Sequence, residues 1–498
     1  MHKRIAFSCV LDYSPLMATQ AYIWLVNLIS IGVKPETIFI HIVGNVPQEF
    51  LEYLNTKQVN IIKKTSFDAR NKYCNKLVQL KTFEQLDGYD YVFLMDCDTA
   101  VVSLDGLVFK KDVYAKVVDF PNPPLNILER IFSEHNYSVN QAVTTFPLKE
   151  EQLTDWNNCN GGLYIISKTF LKTLKPAWER YALWCIEHAD LFGEKYDKHA
   201  DQVGFTLAMA SLGKKTTHLG VEWNYPIHVK TNLNVSPKII HFHVAIDTQI
   251  KLKKIGLYNV DNVIDIVNKR ISNSIRSSHL NSIFWDFRYA FFPELGSGIG
   301  SRGYTLLYKR KLLKSCFGNN SKVISVLDVG CGDLEIIHVF DFKEYLGLDL
   351  SLEAVKKGRI KKPNWNFELI GSSIFDFDKK DIVICLDVLI HQKKYKSYLD
   401  LVNSIVQHTN LRLIIAAYDN EPNFISDITF YHEPITETLT RVGDFERIYK
   451  VGEYNSTSVI IADKKECGLM RVKPAKFSQN EKDSLIYRIL KKIKKVIK

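Results

Sequence analysis

Apolar runs of strand length alternate with longer helix-length segments through the first quarter of the chain. "RIAFSCVL" (4–11) and "IFIHIVG" (38–44) have the near-continuous apolar character of strands buried on both faces. "AYIWLVNLIS" (21–30) between them reads as a helix, and "DYVFLMD" (90–96) as a further buried strand. A second series of this kind begins near residue 323 with "VISVLDVGCGD" and continues through "YLGLDLS", "DIVICLDVLI" and "RLIIAAY". Strands alternating with helices predict an α/β chain with two largely parallel sheets. The stretch between the series, 262–295, is polar, carries "SNSIRSSHLNS", and is followed by the Gly/Ser-rich "GSGIGSRG" (296–303). The pattern therefore predicts a first domain over 1–261, a linker over 262–295, a second domain over 296–465 and a tail over 466–498. No solenoid repeat or low-complexity tract interrupts it.

With 498 residues, 46% of them hydrophobic, the chain can fill two or three cores. Its nine cysteines form no CxxC pair, and "MHKRIAFSCVLDYS" enters a strand pattern without a signal-peptide apolar region, which points to a reducing cytoplasm. No apolar run approaches the roughly 18–20 residues needed to cross a bilayer; the best, "AYIWLVNLISIGV", is broken by Asn27 and Ser30. Of the net charge of +10, six charges come from 482–498, where seven bases face one acid. There Leu485, Ile486, Ile489, Leu490, Ile493, Val496 and Ile497 recur at helical spacing, with lysines on the other face. Such an amphipathic helix suits an anionic membrane surface at the inner face of the cytoplasmic membrane; the alternative is a terminal helix docked on its own protein. The remainder is nearly balanced in charge, so no nucleic-acid partner is expected.

The chemistry begins with "FLMDCDTAVV" (93–102). Two carboxylates one residue apart at the end of a strand, Asp96 and Asp98, point to the same side, and they would repel unless a cation lay between. Hard oxygen ligands suit Mg2+ or Mn2+. Further motifs follow in chain order: "FSCVLDYSPLMATQAYIWL", "NKLVQL", "NCNGGLYIIS", "HADQVGF" and "KIIHFHVA". Together, over residues 3–250, they resemble the GT-A nucleotide-sugar glycosyltransferases, in particular the retaining class of glycogenin and the lipopolysaccharide galactosyltransferases. The resemblance implies Asp12 and Tyr13 near the nucleotide base, and Lys76, with Lys81 in reserve, at the donor diphosphate. It implies Asp96, Asp98 and His241 as ligands of Mn2+ or Mg2+, with Asp96 also on the nucleotide sugar. Asn160, Gly161 and Gly162 would border the sugar, and Asp201 and Gln202 would position it for catalysis. His243, Val244 and Ala245 stand where the family ending "HFxGxxKPW" continues.

In the second half, Gly330, Cys331 and Gly332 follow a strand, where small side chains let a ligand approach the backbone. Asp349, seventeen positions after Gly332, ends the next strand, where a carboxylate can accept from a ribose diol. Over 296–463 this half resembles the class I S-adenosylmethionine methyltransferases, including a bacterial subgroup with "GSGxGS" and "CxDVLxH". The resemblance implies Asp328, Gly330, Gly332 and Asp349 as cofactor-binding residues. An NAD-binding domain is the rival reading, but the third glycine of GxGxxG is missing. Asp387 and His391 are candidates for the methyl-transfer site, with a turn cap and a surface histidine as their alternatives; His432 and Glu433 are a weaker pair.

These resemblances imply a bifunctional enzyme of two Rossmann-like domains acting in lipopolysaccharide or O-antigen assembly. A nucleotide-sugar donor, such as a UDP-sugar, would meet a glycan or lipid-linked glycan acceptor, and S-adenosylmethionine would methylate a sugar hydroxyl. The alternatives are a second domain that binds cofactor only to regulate the first, and a first domain that binds nucleotide sugar without turnover.

Overall fold

The computed structural model describes residues 3–474 except 140, 147–150, 194, 230, 279, 318–321, 372 and 466. The basic segment 482–498 expected as an amphipathic helix lies outside the described residues. The chain divides into two compact units, Met1–Ser274 and Ile275–Lys498.

Strands of the first unit are β1 (Ile5–Asp12), β2 (Ile38–Val43), β3 (Asn60–Lys64), β4 (Tyr91–Met95), β5 (Thr99–Val101), β6 (Val113–Val117), β7 (Ala142–Thr144), β8 (Leu153–Asp155), β9 (Cys159–Ser167), β10 (Thr217–His218), β11 (Tyr225–Pro226) and β12 (Ile239–His241). Seven of them form a mixed sheet in the order β10-β6-β9-β4-β1-β2-β3. β1 to β4 are mutually parallel, and β9 runs antiparallel between β4 and β6. β1 and β4 are buried along nearly their whole length, as their unbroken apolar runs require. A small sheet, β11-β12-β5, sets His241 opposite Thr99. This register brings the end of β12 to the turn that follows β4.

The second unit contains β13 (Ser325–Val329), β14 (Glu344–Asp349), β15 (Asn366–Leu369), β16 (Lys380–Leu386), β17 (Thr409–Ala417), β18 (Arg447–Tyr454) and β19 (Thr457–Asp463). Their order is β15-β14-β13-β16-β17-β19-β18, parallel except for the β18–β19 hairpin, whose last strand lies antiparallel beside β17. The first five strands follow the doubly wound Rossmann-like order, which reverses direction between β13 and β16. Apolar side chains fill both faces of this sheet, among them Val326, Ile384 and Ile414 on one and Leu327, Val383 and Leu413 on the other.

Residues 262–295 depart from the expected linker, because helices Tyr258–Ser277 and Asn281–Phe291 occupy most of them. Val260, Val263, Ile264, Val267 and Ile271 recur at three- and four-residue intervals and are buried, a stripe that the polar residues around them masked. Arg270 donates to the carbonyls of Val101 and Val102, and Tyr22 to Ser274, so this helix belongs to the first unit. Helix Asn281–Phe291 belongs to the second, where Asp286 accepts from the Ser351 hydroxyl and the Glu353 amide. All nine cysteines are free, eight of them buried. Among the described residues, no helix is long and apolar enough to cross a membrane.

Arg412 on β17 is fully buried and grips Asp463 of β19 through two nitrogens, at 2.6 and 3.2 Å. Arg412→Leu should cost the second unit about 3 kcal/mol, because it strands a buried carboxylate with only the half-exposed Arg447 as counter-charge. The check is a lower urea midpoint for that unit's transition.

Candidate functional site

In the first unit a cavity of about 590 Å³ opens at the carboxyl ends of β1 and β4, where the strand order reverses. Asp12, Tyr13, Lys76, Asp96, Asp98, Asn160, Gly161, Asp201, Gln202 and His241 all line it. The exposed Lys81 does not, whereas Lys76 does, along with Lys72 and Lys198.

The two aspartates do not share a partner. β4 ends at Met95, and residues 96–98 turn into β5, so the strand rule that would aim both carboxylates to one side does not apply. Asp96 meets the buried Lys76 ammonium at 2.7 Å. That ammonium also donates to Gly161 O at 2.5 Å and lies 3.8 Å from Asp201. Burial pulls the Lys76 pKa down, but Asp96 and Asp201 more than offset this and hold it above the usual lysine range. Burial raises Asp96, against the pull of Lys76, and pushes Asp201 up to about 6.

Asp98 instead faces imidazoles, with its carboxylate 3.1 Å from His241 Nε2 and 3.4 Å from His243 Nδ1. Their ligand atoms lie within 4.8 Å of one another, and Asp96 is not part of this cluster. Of the expected ligands Asp96, Asp98 and His241, the last two meet here, while Asp96 is held by Lys76. Burial opposes the charge on Asp98, yet the attraction of His241 outweighs it and holds this carboxyl below its usual range. Burial lowers the His243 pKa to about 3, aided by His241, so that ring is neutral. Asp98 Oδ1, His241 Nε2 and His243 Nε2 are buried and find no hydrogen-bond partner among the described residues. Asp98 Oδ1 and His241 Nε2 face one another, and His243 turns Nδ1 towards the same carboxylate, a donor set that fits a divalent cation.

The glycine pair in "NCNGGLYIIS" makes room for both arms of the site. A Cβ on Gly161 would lie 2.6 Å from Lys76 Nζ, and one on Gly162 would lie 2.6 Å from His241 Nδ1. Gly204 in "DQVGF" does the same for packing, because a Cβ there would meet the Ala182 backbone at 2.7 Å. That close helix crossing, with Trp178 Nε1 donating to Asp201 O, sets Asp201 and Gln202 at the start of helix Ala200–Ser211. Asn160 accepts from the Gly162 amide and the Asn224 side chain and donates to Asp119. Asp119, paired with the buried Lys116, and His228, 3.8 Å ring to ring from His243, are cavity-side groups with no motif to reveal them.

In the second unit two glycine-rich segments interlock. Gly332 (φ +57) leaves no space for a Cβ, which would lie 2.4 Å from Ser297 Oγ, and a Cβ on Gly296 would strike Asp333. Ser297 donates through its hydroxyl and amide to Asp333, so "GSGIGS" is fastened to "VGCGD". Asp349 accepts from the Gly332 and Ser351 amides, one on each oxygen and both at 2.8 Å, and burial pushes its pKa up to about 6. Asp328 accepts from the Tyr345 hydroxyl at 2.7 Å, and burial pushes it up to about 7. Asp328, Gly330, Asp349, Asp387 and His391 line a cavity of about 90 Å³, with Asn281, Trp285 and Tyr289 of helix Asn281–Phe291 across from them.

Asp387 adopts φ +63, and both of its oxygens are engaged, by Lys309 Nζ and by the Tyr454 hydroxyl. It is an anchor and not a free base, which revises its candidacy as a catalytic group. His391 Nδ1 lies 2.7 Å from Ile428 O and must donate there, which leaves Nε2 unprotonated; burial lowers its pKa. His391 is thus enclosed and oriented, unlike a surface histidine. His432 is tied to Gln392 O and Glu433 to Arg441, outside the cavity lining.

No protein family matches this chain by sequence, and no curated protein does. Solved structures that are similar in fold include the magnesium protoporphyrin IX methyltransferase of Synechocystis PCC 6803 with bound SAM, at 18% identity. It covers 39% of this chain and 97% of its own, with a TM-score of 0.29. The 1,6-didemethyltoxoflavin-N1-methyltransferase of Burkholderia thailandensis is 16% identical over 40% of this chain and 90% of its own, with a TM-score of 0.29. The PH0226 protein of Pyrococcus horikoshii OT3 is 15% identical over 36% and 98%, with a TM-score of 0.27.

Gly161→Ala and Gly162→Ala should leave the sheet folded and disable the two arms separately. The first should displace Lys76 and weaken nucleotide binding, the second displace His241 and weaken divalent-cation binding, each by roughly tenfold or more. Titration calorimetry of each variant with a nucleoside diphosphate and with Mn2+ checks the division.

Proposed function

We propose that the chain is a bifunctional transferase. Its first unit moves a sugar from a nucleotide-sugar donor, a UDP-sugar by its resemblance, to a glycan or lipid-linked glycan acceptor. Its second unit methylates a sugar hydroxyl with S-adenosylmethionine. The observation that carries the first half is the convergence of a buried lysine, an oriented Asp201–Gln202 pair and a separate carboxylate–imidazole cluster in one cavity at a strand-order reversal.

Asp98 and His241 would hold the cation, which when bound supplies positive charge to a departing diphosphate. Lys76 is charged and anchored beside them, so it can release Asp96 and take a phosphate oxygen with little reorganisation. Asp201 and Gln202, fixed at a helix start, would receive sugar hydroxyls, and Asp12 and Tyr13 would flank the base. Asp98→Ala should abolish metal-dependent donor cleavage while leaving S-adenosylmethionine binding intact. Full cleavage by that variant, or by wild type in excess chelator, contradicts the assignment.

For the second half, the carrying observation is Asp349. It rigidifies the glycine loop through two amides and retains a lone pair on each oxygen for a ribose diol. The 90 Å³ cavity is smaller than the roughly 300 Å³ or more of small-molecule sites, so the lining must open for a cofactor to enter. His391, with Nδ1–H held by Ile428 O, is the base for an acceptor hydroxyl. The motif "VGCGD" and the absence of a third glycine favour this reading over NAD.

Asp349→Ala should weaken S-adenosylmethionine binding about ten- to a hundredfold, as expected for a hydrogen bond to a charged acceptor. The wild-type affinity should itself fall as pH drops through about 6. Below that value free Asp349 takes up a proton and offers the ribose a weaker acceptor, so the Kd rises about tenfold per further pH unit until the bound form also protonates. Calorimetry at pH 5 and 8 reads both effects, and a Kd independent of pH over that range contradicts the role.

The basic segment 482–498 would keep the enzyme beside an anionic membrane that presents lipid-linked acceptors.

A further inference from the structure

Sequence reasoning assigned the cation to two carboxylates and one imidazole. The side chains sort differently. Asp96 is ion-paired to Lys76, whereas His243 stands beside Asp98 and His241. We propose that the first unit binds one divalent transition-metal ion through Asp98, His241 and His243, with Asp96 outside the coordination sphere, and that this donor set excludes Mg2+. The inference deepens the glycosyltransferase reading. It rests on that reading for the ion's role but not for its ligands.

Three observations support the ligand set. First, Asp98 Oδ1 lies 3.1 Å from His241 Nε2 and Asp98 Oδ2 lies 3.4 Å from His243 Nδ1, and one ligand atom from each of the three residues lies within 4.8 Å of the others, close enough for a single ion to draw them together. Second, His241 is 2% exposed, and its Nε2 has no hydrogen-bond partner among the described residues despite that short distance. It faces Asp98 Oδ1 as an ion pair, and a cation between the two would take the place of the imidazole's proton. Third, His243 is held at φ +47, a left-handed conformation that a histidine adopts at a cost. Gln20 donates to its carbonyl at 2.7 Å, and the adjacent Phe242 amide donates to Asp98 O at 2.9 Å, so the backbone that aims His243 is fastened to the aspartate it faces. The His241 and His243 rings stack at 3.9 Å and 19°, so one of them turns about its Cβ–Cγ bond when both nitrogens meet one ion.

Chemistry then selects the ion. Mg2+ prefers oxygen ligands and keeps its waters, while imidazole nitrogen favours Mn2+ weakly and Co2+ or Zn2+ strongly. Two nitrogens and one oxygen leave positions open for donor phosphate oxygens.

X-ray absorption at the zinc edge of the full-length wild-type chain loaded with Zn2+ should show two imidazoles; one or none overturns the proposal. Mn2+ binding followed by electron paramagnetic resonance should survive a roughly hundredfold excess of Mg2+, and equal competition by Mg2+ overturns the selectivity. His243→Leu should lower Mn2+ affinity roughly tenfold or more, and Asp96→Asn should change it less than about threefold. An unchanged affinity in His243→Leu, or a loss in Asp96→Asn equal to that in Asp98→Asn, overturns the ligand set. Metal binding as described with no nucleotide-sugar binding supports the ligand set and rejects the glycosyltransferase reading instead.

Discussion

The need to neutralise one buried ammonium organises the first unit. Lys76 is 8% exposed, and a charge so enclosed persists only where anions and carbonyls surround it. Asp96, Asp201 and the Gly161 carbonyl meet that demand, and each comes from a different element: the turn after β4, the start of a helix, and β9. The lysine thus ties together three segments far apart in sequence. It also explains why β9 carries a glycine at its closest approach and why the helix holding Asp201 crosses its neighbour at Gly204. A site built around a buried cation is already shaped for an anion. Under the proposed function, a diphosphate arriving beside Lys76 would replace carboxylate oxygens with phosphate oxygens at little reorganisation cost.

The second unit achieves a similar end with backbone. Its carboxylates are mostly engaged by amides or neutralising partners: Asp349 by two amides, Asp333 by Ser297 and Arg302, and Asp387 by Lys309 and Tyr454. The two glycine segments interlock because neither tolerates a Cβ where they touch. The pairing of "GSGIGS" with "VGCGD" in the sequence is therefore a packing requirement that places the loop against Asp349.

Much of this was legible in the chain. The apolar runs became β1, β2, β4, β13, β14, β16 and β17, because strands buried on both faces have unbroken hydrophobic character. Motif residues from Asp12 to His241 gathered in one cavity because strand ends (Asp12, Asp96, His241), the start of β9 (Asn160, Gly161), a helix start (Asp201, Gln202) and the short helix holding Lys76 meet at the same edge. What failed did so for local reasons. Strand geometry cannot be extended through Asp96 and Asp98 when the chain turns at that point. The helix Tyr258–Ser277 hid among polar residues because its apolar stripe is narrow. Asp387 looked like a free acid, since nothing in sequence places Lys309 and Tyr454 beside it. His243 was visible only as a departure from a family ending, and its value emerged once the small sheet set it against Asp98.

The central claim is that the Lys76 cluster and the neighbouring cation cluster together form a site for a nucleoside diphosphate. Titration calorimetry of the full-length chain with UDP, with and without Mn2+, and repeated on Lys76→Met, tests it most directly. The account predicts UDP binding that requires Mn2+ and is lost in Lys76→Met. Binding that is indifferent to both the metal and the lysine would contradict it.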